Sequence, residues 1–182
     1  MRRTMKKRER PYRIVNSERH EIGRVTVVKD TIEISGNEHP YTYVIHGDSV
    51  CVLPVYEGDV IAIKQYRHTL NEWMLEIPCG GVDEGECAEA AAYRELLEET
   101  GYVADALTHL GSYYMNQGIS AARCDAFFAQ CTRRECNKRE ETELIQVVKI
   151  PIEEFREMVE NNQFKLLIGL AAWNQATQRK LL

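Results

Sequence analysis

A chain of 182 residues, 44% hydrophobic and 28% charged, is long enough to bury a core without disulfide or metal staples. No apolar run approaches the ~18 residues of a membrane span and no secretory leader pattern opens the sequence, so the cytoplasm is expected and a membrane partner is not. The net charge of −5 hides a basic start, because the first ten residues carry six Arg or Lys against one Glu; setting that +5 apart leaves −10 on the rest, which argues against a broad nucleic-acid footprint.

Residues 1–12 read as a basic flexible tail and residues 13–40 as an N-terminal β extension. Within the extension, residues 23–34 are β-branched and alternating, and a turn near Lys29-Asp30 predicts a hairpin. A second hairpin is predicted from residues 41–46 through Gly47-Asp48 to residues 50–56. Glu57-Gly58-Asp59 then turns into a strand over 60–66. Residues 75–82 pass through Pro78 and the Gly80-Gly81 pair, the pattern of a strand end and a tight loop. Glycines at such a loop let backbone carbonyls approach an ion without side chains in the way. A helix is predicted over 87–100, with Ala88, Ala91, Ala92 and Leu96 as a small inner face and Gly101 as its cap. Strands follow at 107–115 and 126–130, separated by the loop signal Asn116-Gln117-Gly118-Ile119-Ser120. The charged stretch after Cys131 reads as a mobile loop, residues 144–150 as a strand, and Pro151 as a helix start. Residues 163–178 read as a final helix. The alternation is that of an α+β protein, with helices sandwiching a mixed sheet in a domain over 41–182.

Six cysteines show neither a C-x2-C pair nor a zinc spacing. Cys51 and Cys124 lie in apolar strand-like runs and read as small buried hydrophobes, so free thiols in a reducing compartment are expected. Arg67 and Glu76 flank the approach to the glycine loop. The fork of Arg67 suits a phosphate, and Glu76 suits a substrate hydroxyl or Arg67 itself.

The predicted helix 87–100 carries the most informative pattern. From Gly80 to Tyr102 the chain reads G-x5-E-x7-R-E-L-x-E-E-x-G-Y. Glu95 and Glu99 are one helical turn apart, and Glu98 lies at i+3 from Glu95. Like charges this close destabilise a helix unless a cation offsets them, and a hard divalent metal takes carboxylate oxygens while keeping waters for a phosphate substrate. Arg94, at i+4 from Glu98, can hold that carboxylate. Glu86 can orient the loop or Arg94.

These residues resemble the signature of the Nudix hydrolases, matching each specified position except the last, where Tyr102 replaces a bulky aliphatic. Gln65-Tyr66-Arg67 and Glu76-Ile77-Pro78 resemble the segment before the signature in the ADP-ribose pyrophosphatase branch. The resemblance implies a Nudix α/β/α sandwich around a mixed sheet, Mg²⁺ (or Mn²⁺) as cofactor, and hydrolysis of a nucleoside diphosphate linked to another moiety. It implies Glu95, Glu99 and Glu98 as metal ligands, completed by the backbone carbonyl of Cys79 or Gly80, with Glu98 and Arg94 in the catalytic group. The general base is expected on the loop offering Glu140, Glu141 and Glu143; the register of the following strand favours Glu143, then Glu141. Arg67, Glu76 and Gly118 are the expected substrate contacts. The branch's loop proline is missing near Asn116-Gln117, so nucleotide sugars and dinucleotides stand beside ADP-ribose as substrates. The branch also implies a homodimer built with the N-terminal sheet. Two other readings are a non-catalytic nucleotide-sugar-binding module and an RNA 5′-end pyrophosphohydrolase. Retention of all four signature glutamates favours the enzyme.

Overall fold

The computed structural model describes residues 9–135 and 144–182. It divides the chain into two units, one formed by residues up to His46 with Asn116–Ala121, the other by Gly47–Met115 with Ala122–Leu182.

The first unit is an antiparallel sheet of β1 (Arg13–Ile22), β2 (Val25–Ile34) and β3 (Asn37–Ile45), in that order. Residues 23–34 therefore do not form a hairpin. Asp30 lies within a continuous strand, opposite Ser17 and Tyr41, and is buried. The turn falls instead at Ser35-Gly36, where both residues take positive φ, the requirement of a two-residue hairpin turn that Lys29-Asp30 does not meet. β1 was illegible because its sequence, RIVNSERHEI, is largely exposed and polar on both faces, leaving no alternation to read. Residues 116–121 join this unit through a parallel bridge between Val44 and Ser120, and the Tyr41 hydroxyl donates to the Gly118 carbonyl at 3.0 Å.

The second unit holds a seven-stranded mixed sheet. β4 (Ser49–Tyr56) lies between β5 (Asp59–Arg67) and β9 (Arg123–Arg134); β10 (Ile145–Pro151) borders β5, and β8 (Tyr102–Tyr114) borders β9. β6 (Glu72–Glu76) pairs with β5, and β7 (Cys79–Gly81) pairs with β4. The expected pairing of 41–46 with 50–56 is corrected here, because β3 pairs with β2 whereas β4 pairs with β5, β7 and, in parallel, β9. The turn at 57–59 connects β4 and β5 as expected.

β4 is buried on both sides, which explains its unbroken apolar run. Val50 and Val52 pack with Ala91, Ala92 and Leu96 of α1 (Ala88–Thr100). Cys51, Leu53 and Val55 pack on the other side with Phe155 of α2 (Ile152–Glu160) and with Ile168, Ala172 and Trp173 of α3 (Leu167–Gln178). The small residues of α1 let it approach the sheet closely, and the helix ends at Gly101, whose left-handed backbone caps it by donating to Leu97 O at 2.8 Å. Tyr102, the departure from the family pattern, is a packing residue. Its buried ring packs at a tilt against Tyr56, with centroids 5.2 Å apart, and the Arg134 and Lys149 cations lie over it.

Candidate active site

The helix α1 presents Arg94, Glu95, Glu98 and Glu99 toward the glycine turn of β7 and the loop that follows it. Arg94 organises this end of the molecule. Its Nε and Nη2 donate to the two carboxylate oxygens of Glu86 at 3.1 and 2.9 Å, and Nη2 also donates to the Gly81 carbonyl at 2.8 Å. Nη1 reaches Glu95 Oε1 at 2.7 Å and Glu98 Oε2 at 3.1 Å. One guanidinium thus ties the glycine turn, the loop before the helix and two helix carboxylates together, a task suited to its rigid fork of donors. Glu86 is the orienting residue, since it also accepts from the Asp83 amide at 3.1 Å. Arg94 first, and the Asp83 amide second, hold the Glu86 carboxyl below the ordinary glutamate range. A depressed folded pKa gives stability that is present above the ordinary value and is lost as the pH falls through the folded one. Arg94→Met is therefore expected to lower the melting temperature by several degrees near neutral pH. The gap between variant and wild type should narrow on acidification below the ordinary glutamate range; a pH-independent gap in thermal unfolding would contradict it.

Glu95 and Glu99 are the buried carboxylates of α1, at 9% and 2% exposure. Glu99 Oε2 accepts the Cys79 backbone amide at 3.0 Å. The β4–β7 ladder explains that contact. Val52 donates to the Pro78 carbonyl at 2.9 Å and Val82 to the Asp48 carbonyl at 3.0 Å. By the antiparallel alternation, Val50 and Gly80 are then a hydrogen-bonded pair, while Cys51 and Cys79 are a non-hydrogen-bonded one. The amide and carbonyl of Cys79 face away from β4, on the edge where Glu99 lies, whereas those of Gly80 point into the ladder.

Gly80 lies against the Glu95 carboxylate so closely that an added Cβ would sit 1.9 Å from Glu95 Cδ. Because the obstructed group is the end of a flexible side chain, Gly80→Ala should leave the fold intact and push the carboxylate aside. The expected result is an unchanged melting temperature with turnover reduced about tenfold. Turnover equal to wild type would show that the position of Glu95 is immaterial.

The donor set fits a hard divalent cation by chemistry and charge. Glu86, Glu95 and Glu98 pair with a single arginine, and Glu99 lies beside the last two on the helix; Glu95 and Glu99 are buried. Oxygen donors of this kind suit Mg²⁺ or Mn²⁺. Among the described residues no group of three or more His, Cys, Asp or Glu side chains is arranged to hold a metal as they stand. Glu95 and Glu98 are turned toward Arg94, and Glu99 toward the Cys79 amide.

Arg67 and Glu76 form a two-pronged ion pair across β5 and β6, with Nε to Oε1 at 2.7 Å and Nη2 to Oε2 at 2.5 Å. Glu76 is almost fully buried, whereas the Arg67 side chain is 39% exposed. Glu76 therefore anchors Arg67, the second of its two expected roles, and leaves Nη1 of the fork for a ligand. The hydrogen bond to Glu76 is the first cause of the raised Arg67 pKa, and the charge of Glu99 contributes to it, so this pair lies within electrostatic reach of the helix carboxylates. Gln65 shares the sheet face of Arg67 by strand alternation. It is buried, and its side-chain oxygen has no hydrogen-bond partner among the described residues. The Q-x-R spacing carried that signal, but nothing in the sequence distinguished Gln65 from an ordinary strand glutamine.

The residues from 76 to 99 thus come together in one unit, including Cys79, Gly80, Glu86, Arg94, Glu95, Glu98 and Glu99. Gly118 belongs to the other unit, where its carbonyl accepts the Tyr41 hydroxyl. Glu140, Glu141 and Glu143 lie outside the described residues.

The sequence model of the NUDIX domain matches residues 45–169. The chain is 33% identical over 139 residues to the ADP-ribose pyrophosphatase of Bacillus subtilis (strain 168), with 75% of each chain covered. It is 40% identical over 78 residues to the ADP-sugar pyrophosphatase of Mus musculus, a match covering 40% of this chain and 36% of the other. The crystal structure of an ADP compounds hydrolase matches with a TM-score of 0.83 at 25% identity, covering 95% of this chain and 96% of that one.

Proposed function

The chain belongs to the Nudix family, and from that premise we propose that it hydrolyses the pyrophosphate of ADP-ribose or an ADP-sugar to AMP and a sugar phosphate. The observation that carries the proposal is the Arg94-centred carboxylate cluster against the Gly80 turn, in a chain 33% identical to an ADP-ribose pyrophosphatase over 75% of each chain. Nudix hydrolases use a divalent metal, and Mg²⁺ is the species proposed here, with Mn²⁺ as its substitute. When bound, the cation neutralises phosphate oxygens and acidifies a water.

Glu95 and Glu99, with Glu98 sharing, would hold it. The Cys79 carbonyl joins them in preference to that of Gly80, because it faces the Glu99 edge of β7. Arg94 fixes the Glu95 and Glu98 carboxylates and so positions the ligand set. Arg67, preset by buried Glu76, clamps a substrate phosphate through its remaining donors. Gln65 supplies a buried acceptor to a substrate hydroxyl or amino group, and its unpaired oxygen supports that role. Glu143, with Glu141 as the alternative, is the proposed base that takes a proton from the attacking water. Gly118 is proposed as a further substrate contact. A panel of ADP-ribose, ADP-sugars, GDP-sugars and dinucleotides, with products identified, tests the substrate class; preference for a GDP-sugar would reassign it.

The cytoplasm is proposed as the site of action. The five described cysteines carry free thiols, and no helix among the described residues is long and apolar enough to cross a membrane. A homodimer is also proposed. The three-stranded sheet leaves β1 and β3 as edges, with Ile22, Ile34, Tyr41 and Ile45 all at least 40% exposed, and such edges are normally covered. Light scattering is expected to give twice the 21.0 kDa chain mass. A stable monomer at tens of micromolar, or a dimer joined through α3 alone, would refute the arrangement.

A further inference from the structure

Three thiols lie on the α2/α3 face of the central sheet, the face opposite α1. Cys51 and Cys79 are directly opposite on β4 and β7, and Cys124 is opposite Ser49 on the other side of β4. Directly opposed residues of antiparallel strands point to the same face, and a non-hydrogen-bonded pair brings their Cα atoms to about 4.5 Å. That spacing falls within the range a disulfide spans, about 4.4–6.8 Å. Cys51 is fully buried, Cys79 is partly exposed, and both belong to the same core cluster.

We propose that Cys51 and Cys79 form a reversible disulfide under hydroperoxide stress, and that this bond switches the proposed site off. Cys79, the residue of the pair that is not fully buried, attacks the peroxide oxygen, becoming a sulfenic acid as the hydroperoxide is reduced to an alcohol or water. The Cys51 sulfur then attacks the Cys79 sulfur and water leaves. Two thiols and one hydroperoxide thus give a disulfide, an alcohol (or water) and one water. Cys124 is a diagonal neighbour and is left out.

The consequence follows from what the Cys79 backbone touches. Its amide donates to Glu99, and the next residue, Gly80, packs against Glu95. At a Cα spacing near the short end of the disulfide range, a bond between the two sulfurs strains β7 against β4, and β7 carries the contacts to Glu99 and Glu95.

The loss of activity rests on the proposed function, whereas formation of the disulfide does not, so two readouts separate them. The full chain is treated with hydrogen peroxide, alkylated and mapped by mass spectrometry, and assayed with ADP-ribose and Mg²⁺ before and after dithiothreitol. The expected map joins the Cys51 and Cys79 peptides with loss of two hydrogens and no added oxygen. Cys51→Ser should instead retain an oxidised, unlinked Cys79, and Cys124→Ala should behave as wild type. Turnover should fall as the linked form accumulates and return with dithiothreitol. A link through Cys124, or both thiols still alkylatable when exposed Cys87 is fully oxidised, would overturn the pairing. A full Cys51–Cys79 link with unchanged turnover would overturn the switch. No turnover by the reduced protein on any nucleotide tested would overturn the proposed function and leave the mapping result standing.

Discussion

Glu99→Gln is expected to reduce kcat by about 10³-fold or more, roughly 4 kcal/mol of barrier, while leaving the fold nearly unchanged. The side chain is almost wholly buried, and its Oε2 accepts the Cys79 amide at 3.0 Å. A glutamine keeps the shape, and its own carbonyl oxygen can still accept that amide, so β7 should remain in register. What is lost is the negative charge required of a cation ligand. Steady-state assays at saturating Mg²⁺, with thermal unfolding as the control for folding, decide the matter. Turnover within a few-fold of wild type would remove Glu99 from the ligand set.

Glu143→Gln is expected to lower kcat by about 10²- to 10⁴-fold with substrate Kd nearly unchanged, as for a base that acts only in the transition state. Glu141→Gln should cost less. The assignment comes from aligning the strand after the loop, now β10 beginning at Ile145, with the family's register. Reversal of the order between the two variants would move the register by two residues. Neither variant mattering would place the base elsewhere.

The second unit was largely legible in the sequence because its signals are local. The spacing of Arg94, Glu95, Glu98 and Glu99 sets which side chains share a helix face, and the Gly101 cap is a matter of one residue's φ. β4 was legible as an apolar run, and Pro151 marks the start of α2. The first unit was misread because strand partners are non-local. Residues 23–34 alternate well enough to be strand, but nothing within them says whether they pair with themselves or with β1. The segment 41–56 contains a good turn signal at Gly47-Asp48, yet its two strands lie in different sheets, and only competition with β2 and β9 for hydrogen bonds decides that. At the site, the spacing indicated which carboxylates share the helix face and gave no hint of what holds them. That Glu76 grips Arg67 in a fork, that the Cys79 amide faces Glu99, and that Gly80 leaves room for the Glu95 carboxylate all depend on cross-strand register. The same register brings Cys51 opposite Cys79, two residues 28 positions apart in sequence with no motif to link them.

The most direct test of the proposed chemistry is the identity of the products formed from ADP-ribose, with and without divalent metal. Incubation with Mg²⁺ should give AMP and ribose 5-phosphate in equal amounts by phosphorus NMR, and EDTA should abolish the reaction until Mg²⁺ is restored. Release of ADP and free ribose, or turnover undiminished in EDTA, would contradict metal-dependent cleavage of the pyrophosphate.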